Sequence, residues 1–176
     1  GYNCLMTIIC SALIVLDKPL AHFLYAKDFY TAWQYVPWLT IAILFGSMAG
    51  YIGGIFVAVK NSKIFASSTL VGAAINVILN FLIVPIMGPL GAAVSTTVCY
   101  VAVWIIRLIQ SREYIKMRIN LARDVSSYIV LGIQATGILL IHDTWPLILF
   151  LTGTFMLVLV LYTPDMKLVI DRIRHR

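Results

Sequence analysis

Apolar residues along this chain fall in long blocks, and the polar residues collect between them. A helix crossing the ~30 Å hydrocarbon layer needs about 20 apolar residues. Six blocks approach that length: residues 1–16 (or to 24, with a kink at Pro19), 35–59, 64–84, 90–108, 125–141 and 146–162. The third and fourth form a hairpin around an uncharged corner. Pro85, Gly88 and Pro89 are expected to end one helix there and start the next. A tight turn over 142–146 joins the last two, with Asp143 or Thr144 as N-cap and Pro146 in the first turn. The alternating stretch 17–32 suggests a short interfacial helix. Residues 110–124 read either as an amphipathic helix on lipid headgroups or as a solvated extension of the fourth helix.

Composition places these blocks in a bilayer. Of 176 residues, 61% are hydrophobic and 11% charged, with mean hydropathy +0.96; soluble domains carry roughly 45–50% and about 25%. The expected fold class is all-α integral membrane, with about six transmembrane helices. Net charge is +6, but the basic residues flank apolar blocks and form no aromatic-interleaved patch, so no nucleic-acid partner is expected. Eleven of the thirteen lie on one side of the alternating topology: Lys60 and Lys63; Arg107, Arg112, Lys116, Arg118 and Arg123; Lys167, Arg172, Arg174 and Arg176. The other side holds Lys18 and Lys27. The positive-inside rule then puts both ends in the cytoplasm. Trp33, Trp38 and Trp145, with Tyr25, Tyr30 and Tyr35, sit where an aromatic belt would lie. The chain opens at Gly1 inside an apolar block, which suggests one piece of a larger membrane protein.

Candidate chemistry is sparse. No nucleophile–base set, phosphate-cradling glycine loop or metal-ligand spacing occurs, so neither catalysis nor a cofactor or metal is expected. Cys4, Cys10 and Cys99 read as small packing residues. His22, His142 and His175 each stand alone. The seven acids fall in connections or at block ends, and Asp17 alone enters a helix if the first one continues past Pro19. What remains is polar and uncharged. Ser68, Gly72, Asn76 and Asn80 recur at four-residue intervals, on one face of the third helix. An unpaired amide in hydrocarbon costs several kcal/mol, so the stripe faces protein or water. Packing against a neighbouring helix and lining a polar cavity both satisfy that demand. Gly46, Gly50 and Gly54, with Gly53 beside them, read as a packing face. Ala92, Thr96 and Tyr100 share a face of the fourth helix, and Gln134 is a lone amide needing a partner.

The pattern N-x3-N-x4-P-x2-G-x2-G-A-A, at Asn76, Asn80, Pro85, Gly88, Gly91, Ala92 and Ala93, follows the basic pair Lys60 and Lys63. Together with Pro19, Leu20, Leu24, Tyr25, Phe29, Tyr30 and Ala32, it resembles the C-terminal half of Wzx-type polysaccharide-biosynthesis flippases. These belong to the multidrug/oligosaccharidyl-lipid/polysaccharide exporter superfamily, which usually has glycine where Ala26 stands. The resemblance covers residues 1–125 and, by position only, the last two helices. It implies that residues 1–176 form most of one lobe of a two-lobe exporter fold, the N-terminal lobe lying elsewhere in the same protein. It implies flipping of undecaprenyl-diphosphate-linked oligosaccharide across the bacterial inner (plasma) membrane for O-antigen, lipopolysaccharide or other polysaccharide assembly, with membrane lipids around it. Candidate cavity residues are Asn76, Asn80, Ser68, Tyr100 and Gln134. Asp17, Lys18 and Arg107 are candidate charged contacts, and a diphosphate would need such cations. The alternatives are a cation-coupled drug exporter of the same superfamily and a non-catalytic membrane subunit.

Overall fold

Pro19 and Gly88 mark two of the breaks in the helical ladder. The computed structural model describes residues 1–24, 26–115, 120–141 and 143–174, the side chains of 27–29, 121 and 165–174 excepted. Among the described residues every regular element is helical. Helix α1 spans Tyr2–Val15 and α2 spans Asp17–Leu24, bent by 65° at Leu16. Pro19 has no N–H to offer the carbonyl of Val15, so the ladder breaks where that bond is lost. A 3₁₀ helix, Lys27–Gln34, leads into α3, Val36–Ala58. Then follow α4, Ser62–Met87, and α5, Pro89–Ser111. Gly88 joins them at φ 58°, and its N–H donates to Val84 O at 2.8 Å; that φ suits a residue without Cβ. Helix α6, Leu121–Leu140, starts with the Asn120 side chain accepting from Arg123 N–H, and α7 spans Thr144–Arg174.

Four of these helices are long and apolar enough to cross a membrane: α3, α4, α5 and Thr144–Pro164 of α7. The bent pair α1–α2 makes a fifth if it counts as one span. This set is compatible with a multi-pass membrane protein. Helix α6 is outside it, because Arg123, Asp124, Ser126, Ser127 and Gln134 dilute its apolar content.

Several boundaries differ from the sequence reading. Helix α4 does not end before Pro85 but carries it inside and stops at Met87. Helix α7 likewise runs past Tyr162 through Pro164. A proline forbids one bond at its own nitrogen, and the neighbouring bonds can carry the helix on. Residues 112–115 form turns and irregular backbone, so no continuous helix covers 110–124; Lys116, Arg118 and Ile119 lie outside the described residues. The stretch 17–32 folds as α2 followed by the 3₁₀ helix rather than as one interfacial helix. Tyr25, His142, His175 and Arg176 also lie outside the description, as do the side chains of Lys27, Phe29, Lys167, Arg172 and Arg174.

The chain divides into two units, Trp38–Arg118 and Gly1–Pro37 with Ile119–Arg176. In the first, α4 packs along α5. Ile52, Phe56 and Leu108 form one core cluster with Ile55, Ile64 and Trp104 against it; Ala49, Cys99 and Val103 form another. The rest of α4 is bare and apolar: Leu70, Val77, Ile78, Phe81, Leu82 and Ile86 are exposed, as lipid-facing residues would be. In the second unit α1 packs on α6 and α7. Cys4, Val158 and Tyr162 form one buried cluster, and Ile138, Leu147 and Leu151 another, with the half-buried Val15 and Trp33 packed against it.

Candidate functional site

The four-residue stripe of α4 faces α5, and its members do different work. Gly72 lies hard against α5: a Cβ there would overlap Val103, and the Cys99 thiol donates to Gly72 O at 3.1 Å. Asn76 Nδ2 donates to Thr96 Oγ1 at 3.5 Å. Asn80 Nδ2 donates to Asn76 Oδ1 at 2.9 Å and to Asn76 O at 3.0 Å. The second amide therefore holds the first, using its carbonyl oxygen and leaving its NH₂ to point at α5. Thr96 in turn donates to Ala92 O, so its hydroxyl proton is spent and its lone pair is offered.

Beside Asn76 a cavity of about 340 Å³ opens between α3, α4 and α5. Gly46, Ala49, Gly72 and Ala73 keep its walls small, and Thr69, Asn76, Thr96, Tyr100 and Arg107 supply its polar lining. Tyr100 lies across α3, its ring 3.2 Å from where a Cβ of Gly46 would be. Among the neighbouring glycines, Gly53 is the other close contact. A Cβ there would come within 2.6 Å of the Phe65 ring and 2.9 Å of Arg107 Nη1. Gly50 and Gly54 meet nothing within 4 Å among the described residues, so within this unit Gly46 and Gly53, and not the whole Gly46–Gly50–Gly54 row, make the packing contacts.

Arg107, read from the sequence both as a flanking charge and as a candidate charged contact, belongs to the body of α5, which continues one turn further to Ser111. Only 5% of it is exposed. Its Nε donates to Ser68 Oγ at 2.9 Å and its Nη1 to Ala49 O at 2.8 Å. Nη2 donates to Thr69 Oγ1 at 2.8 Å and Phe65 O at 3.4 Å, and the guanidinium carbon lies 4.2 Å from the Phe65 ring centroid. One side chain thus ties α5 to both α3 and α4. Ser68, donating to Phe65 O while accepting from Arg107, supports the guanidinium and does not line the cavity.

The second unit holds a polar network that the sequence reading missed. Asn3, Thr7 and Ser11 form a four-residue stripe on α1, the same spacing that marked α4. Tyr128 OH and Thr7 Oγ1 donate to Asn3 Oδ1 at 2.9 and 3.4 Å, and Asn3 Nδ2 donates to Tyr162 OH at 3.3 Å. Tyr162 OH donates to Asp124 Oδ1 at 3.2 Å and lies 2.9 Å from Ser127 Oγ. Arg123 pairs with Asp124 at 3.4 Å. Ser11 Oγ donates to Gln134 Oε1 at 2.9 Å, which gives Gln134 a partner; its Nε2 is buried with none among the described residues.

Of the sequence candidates, Asn76, Tyr100 and Arg107 meet at the cavity, with Ser68 and Asn80 behind two of them. Gln134, Asp17 and Lys18 belong to the other unit. Asp17 is 2% exposed at the α1–α2 break, and its Oδ2 has no hydrogen-bond partner among the described residues. Lys18 Nζ stands 4.7 Å from the Trp33 ring centroid. No group of three or more potential metal ligands occurs among the described residues. Against known proteins, the chain matches no family model, no curated protein and no solved structure.

Proposed function

We propose that this chain is one lobe of a multi-pass transporter that moves undecaprenyl-diphosphate-linked oligosaccharide across the bacterial inner membrane for polysaccharide assembly. The observation that carries the reading is the α3–α4–α5 cavity. Three helices apolar enough to span a bilayer border a half-open space lined by an amide, hydroxyls and a guanidinium. Such groups are costly in hydrocarbon and mark polar cargo paths when they face a cavity. A sugar offers hydroxyls to amides and hydroxyls, and Asn76, Thr96, Thr69 and Tyr100 supply those. The bare apolar side of α4 gives the same unit a lipid face.

On this reading α6 is the sixth span. Its polar residues Ser127, Tyr128 and Gln134 bond to α1 and α7, which removes their cost in lipid. With α1–α2 as one bent span, six spans put both ends on one side, the cytoplasmic one by the charge bias. The N-terminal lobe of the same protein would close the other side of the path. A second reading, a cation-coupled exporter, is favoured by the buried carboxylate of Asp17 at a helix break, where discontinuous spans hold ions.

The test is surface polysaccharide in cells carrying the full-length protein. Asn76→Leu abolishes export at normal membrane abundance. Asn80→Leu lowers it less, because Asn80 acts through Asn76. Export unchanged by Asn76→Leu removes the reading, and loss of abundance with loss of export assigns the amides to packing.

A further inference from the structure

Helix α3 is held on the α4–α5 hairpin differently from the way the hairpin holds itself. The backbones of α4 and α5 run close along each other, and that of α3 stays farther from both. Glycines at 46, 50, 53 and 54 thin its middle. Two hydrogen bonds from α5 side chains reach its backbone. Thr97 Oγ1 donates to Trp38 O at 2.8 Å near its start, and Arg107 Nη1 to Ala49 O at 2.8 Å in its middle. The other N–H groups of Arg107 that find acceptors grip α4. This one side chain is therefore fastened on the hairpin and reaches out to α3.

The Arg107 end of the cavity is sealed in layers. Arg107 and the Phe65 ring form the first. Next come Ile52, Phe56 and Leu108, buried together, with Ile64 and Trp104 against them. Tyr114 follows, edge-on to Phe56 with centroids 6.0 Å apart, its OH accepting from Asn61 Nδ2 at 2.9 Å. The charge bias places this end in the cytoplasm. Apolar layers exclude water but fix no single geometry, and the guanidinium supplies the directional bonds. Its acceptors are carbonyls and hydroxyls, with no carboxylate among them. Water entering between the helices can replace a carbonyl, whereas a parted ion pair would leave two bare charges.

We propose that Arg107 is the latch of a gate. With its bond to Ala49 O made, the cavity is shut toward the cytoplasm; with that bond broken, α3 swings away from the hairpin and opens that end. The latch stands on this unit alone, and the transport reading supplies only its use. Gly53 is what lets the latch close. A Cβ there would stand 2.9 Å from Arg107 Nη1 and 2.6 Å from the Phe65 ring. Both are far ends of flexible side chains, so Gly53→Ala displaces the guanidinium and leaves the helices folded.

The native thiol of Cys99 is the reporter. It lines the cavity, is buried, and stands eight residues along α5 from Arg107, about 12 Å inward. The full-length protein, with Cys99 as its single cysteine, is offered a membrane-impermeant maleimide from the cytoplasmic face. The wild type labels slowly. Arg107→Gln and Gly53→Ala each speed labelling about tenfold or more, the order by which losing one charge-assisted bond shifts a closed–open balance. Gly50→Ala, whose Cβ meets nothing, labels as the wild type does. Gly53→Ala retains Arg107, so it decides the matter if Arg107→Gln fails to fold. Rapid labelling of the wild type, or labelling unchanged in folded Arg107→Gln or Gly53→Ala, overturns the latch. An equal rise from the opposite face, or in Gly50→Ala, overturns it too. A Gly53→Ala rise in a protein whose wild type moves no oligosaccharide keeps the latch and removes the transport reading. Unchanged labelling of Gly53→Ala in a protein that does move oligosaccharide does the reverse.

Discussion

Gly72 and Gly50 make a pair that sequence alone could not separate. Both sit in apolar helices on small-residue rows, yet a Cβ on Gly72 overlaps Val103 while one on Gly50 meets open space. Gly72→Ala should therefore destabilise the α4–α5 contact by about 1–3 kcal/mol, the usual overpacking range. Gly50→Ala should be neutral or stabilise its helix by up to ~1 kcal/mol. Thermal unfolding of both variants in one detergent checks the order, and a Gly50→Ala loss equal to that of Gly72→Ala would contradict the packing described here. Periodicity marks a face, but which helix lies on it is a tertiary fact. Arg107 was opaque for a related reason. Four residues from a helix end, a basic side chain reads as flanking charge, and only the neighbouring carbonyl of Ala49 and hydroxyls of Ser68 and Thr69 reveal it as enclosed. Asn76 was legible, because an amide in an apolar block has few places to go.

At the scale of elements, the apolar blocks carried most of the helical plan, while two features escaped them. The Asn3–Thr7–Ser11 stripe of α1 has the spacing of the α4 stripe, but its small hydroxyls scarcely lower the block's hydropathy. The second is the α1–α2 break. Pro19 announced a kink, yet burial of Asp17 there depends on how α2 folds back, which no local pattern encodes. A buried carboxylate with one oxygen unpartnered among the described residues is costly, and this makes Asp17 the residue on which the cation-coupled reading turns. Under the cation-coupled reading, Asp17→Asn keeps membrane abundance and removes the dependence of transport on an imposed proton or sodium gradient. Vesicle transport that responds to the gradient in the variant as in the wild type eliminates that reading.

For the whole molecule, charge and length make a topological prediction. Single-cysteine labels at Asn61 and Glu113 should react from the cytoplasmic face, and labels at Gly88 and Asp143 from the opposite face. Reassigning Arg107 from flank to helix body lowers the bias from eleven to ten basic residues against two, which leaves its direction unchanged. Labels at Gly88 and Glu113 that react from one face would contradict the spanning of α5. The chain's own thiols ease the experiment. Cys4, Cys10 and Cys99 are all buried, and Cys99 is further engaged with Gly72 O. A membrane-impermeant maleimide should therefore pass over these three thiols, so residues 1–176 add no labelling background of their own. Any slow labelling that does occur times the breathing of the helix bundle.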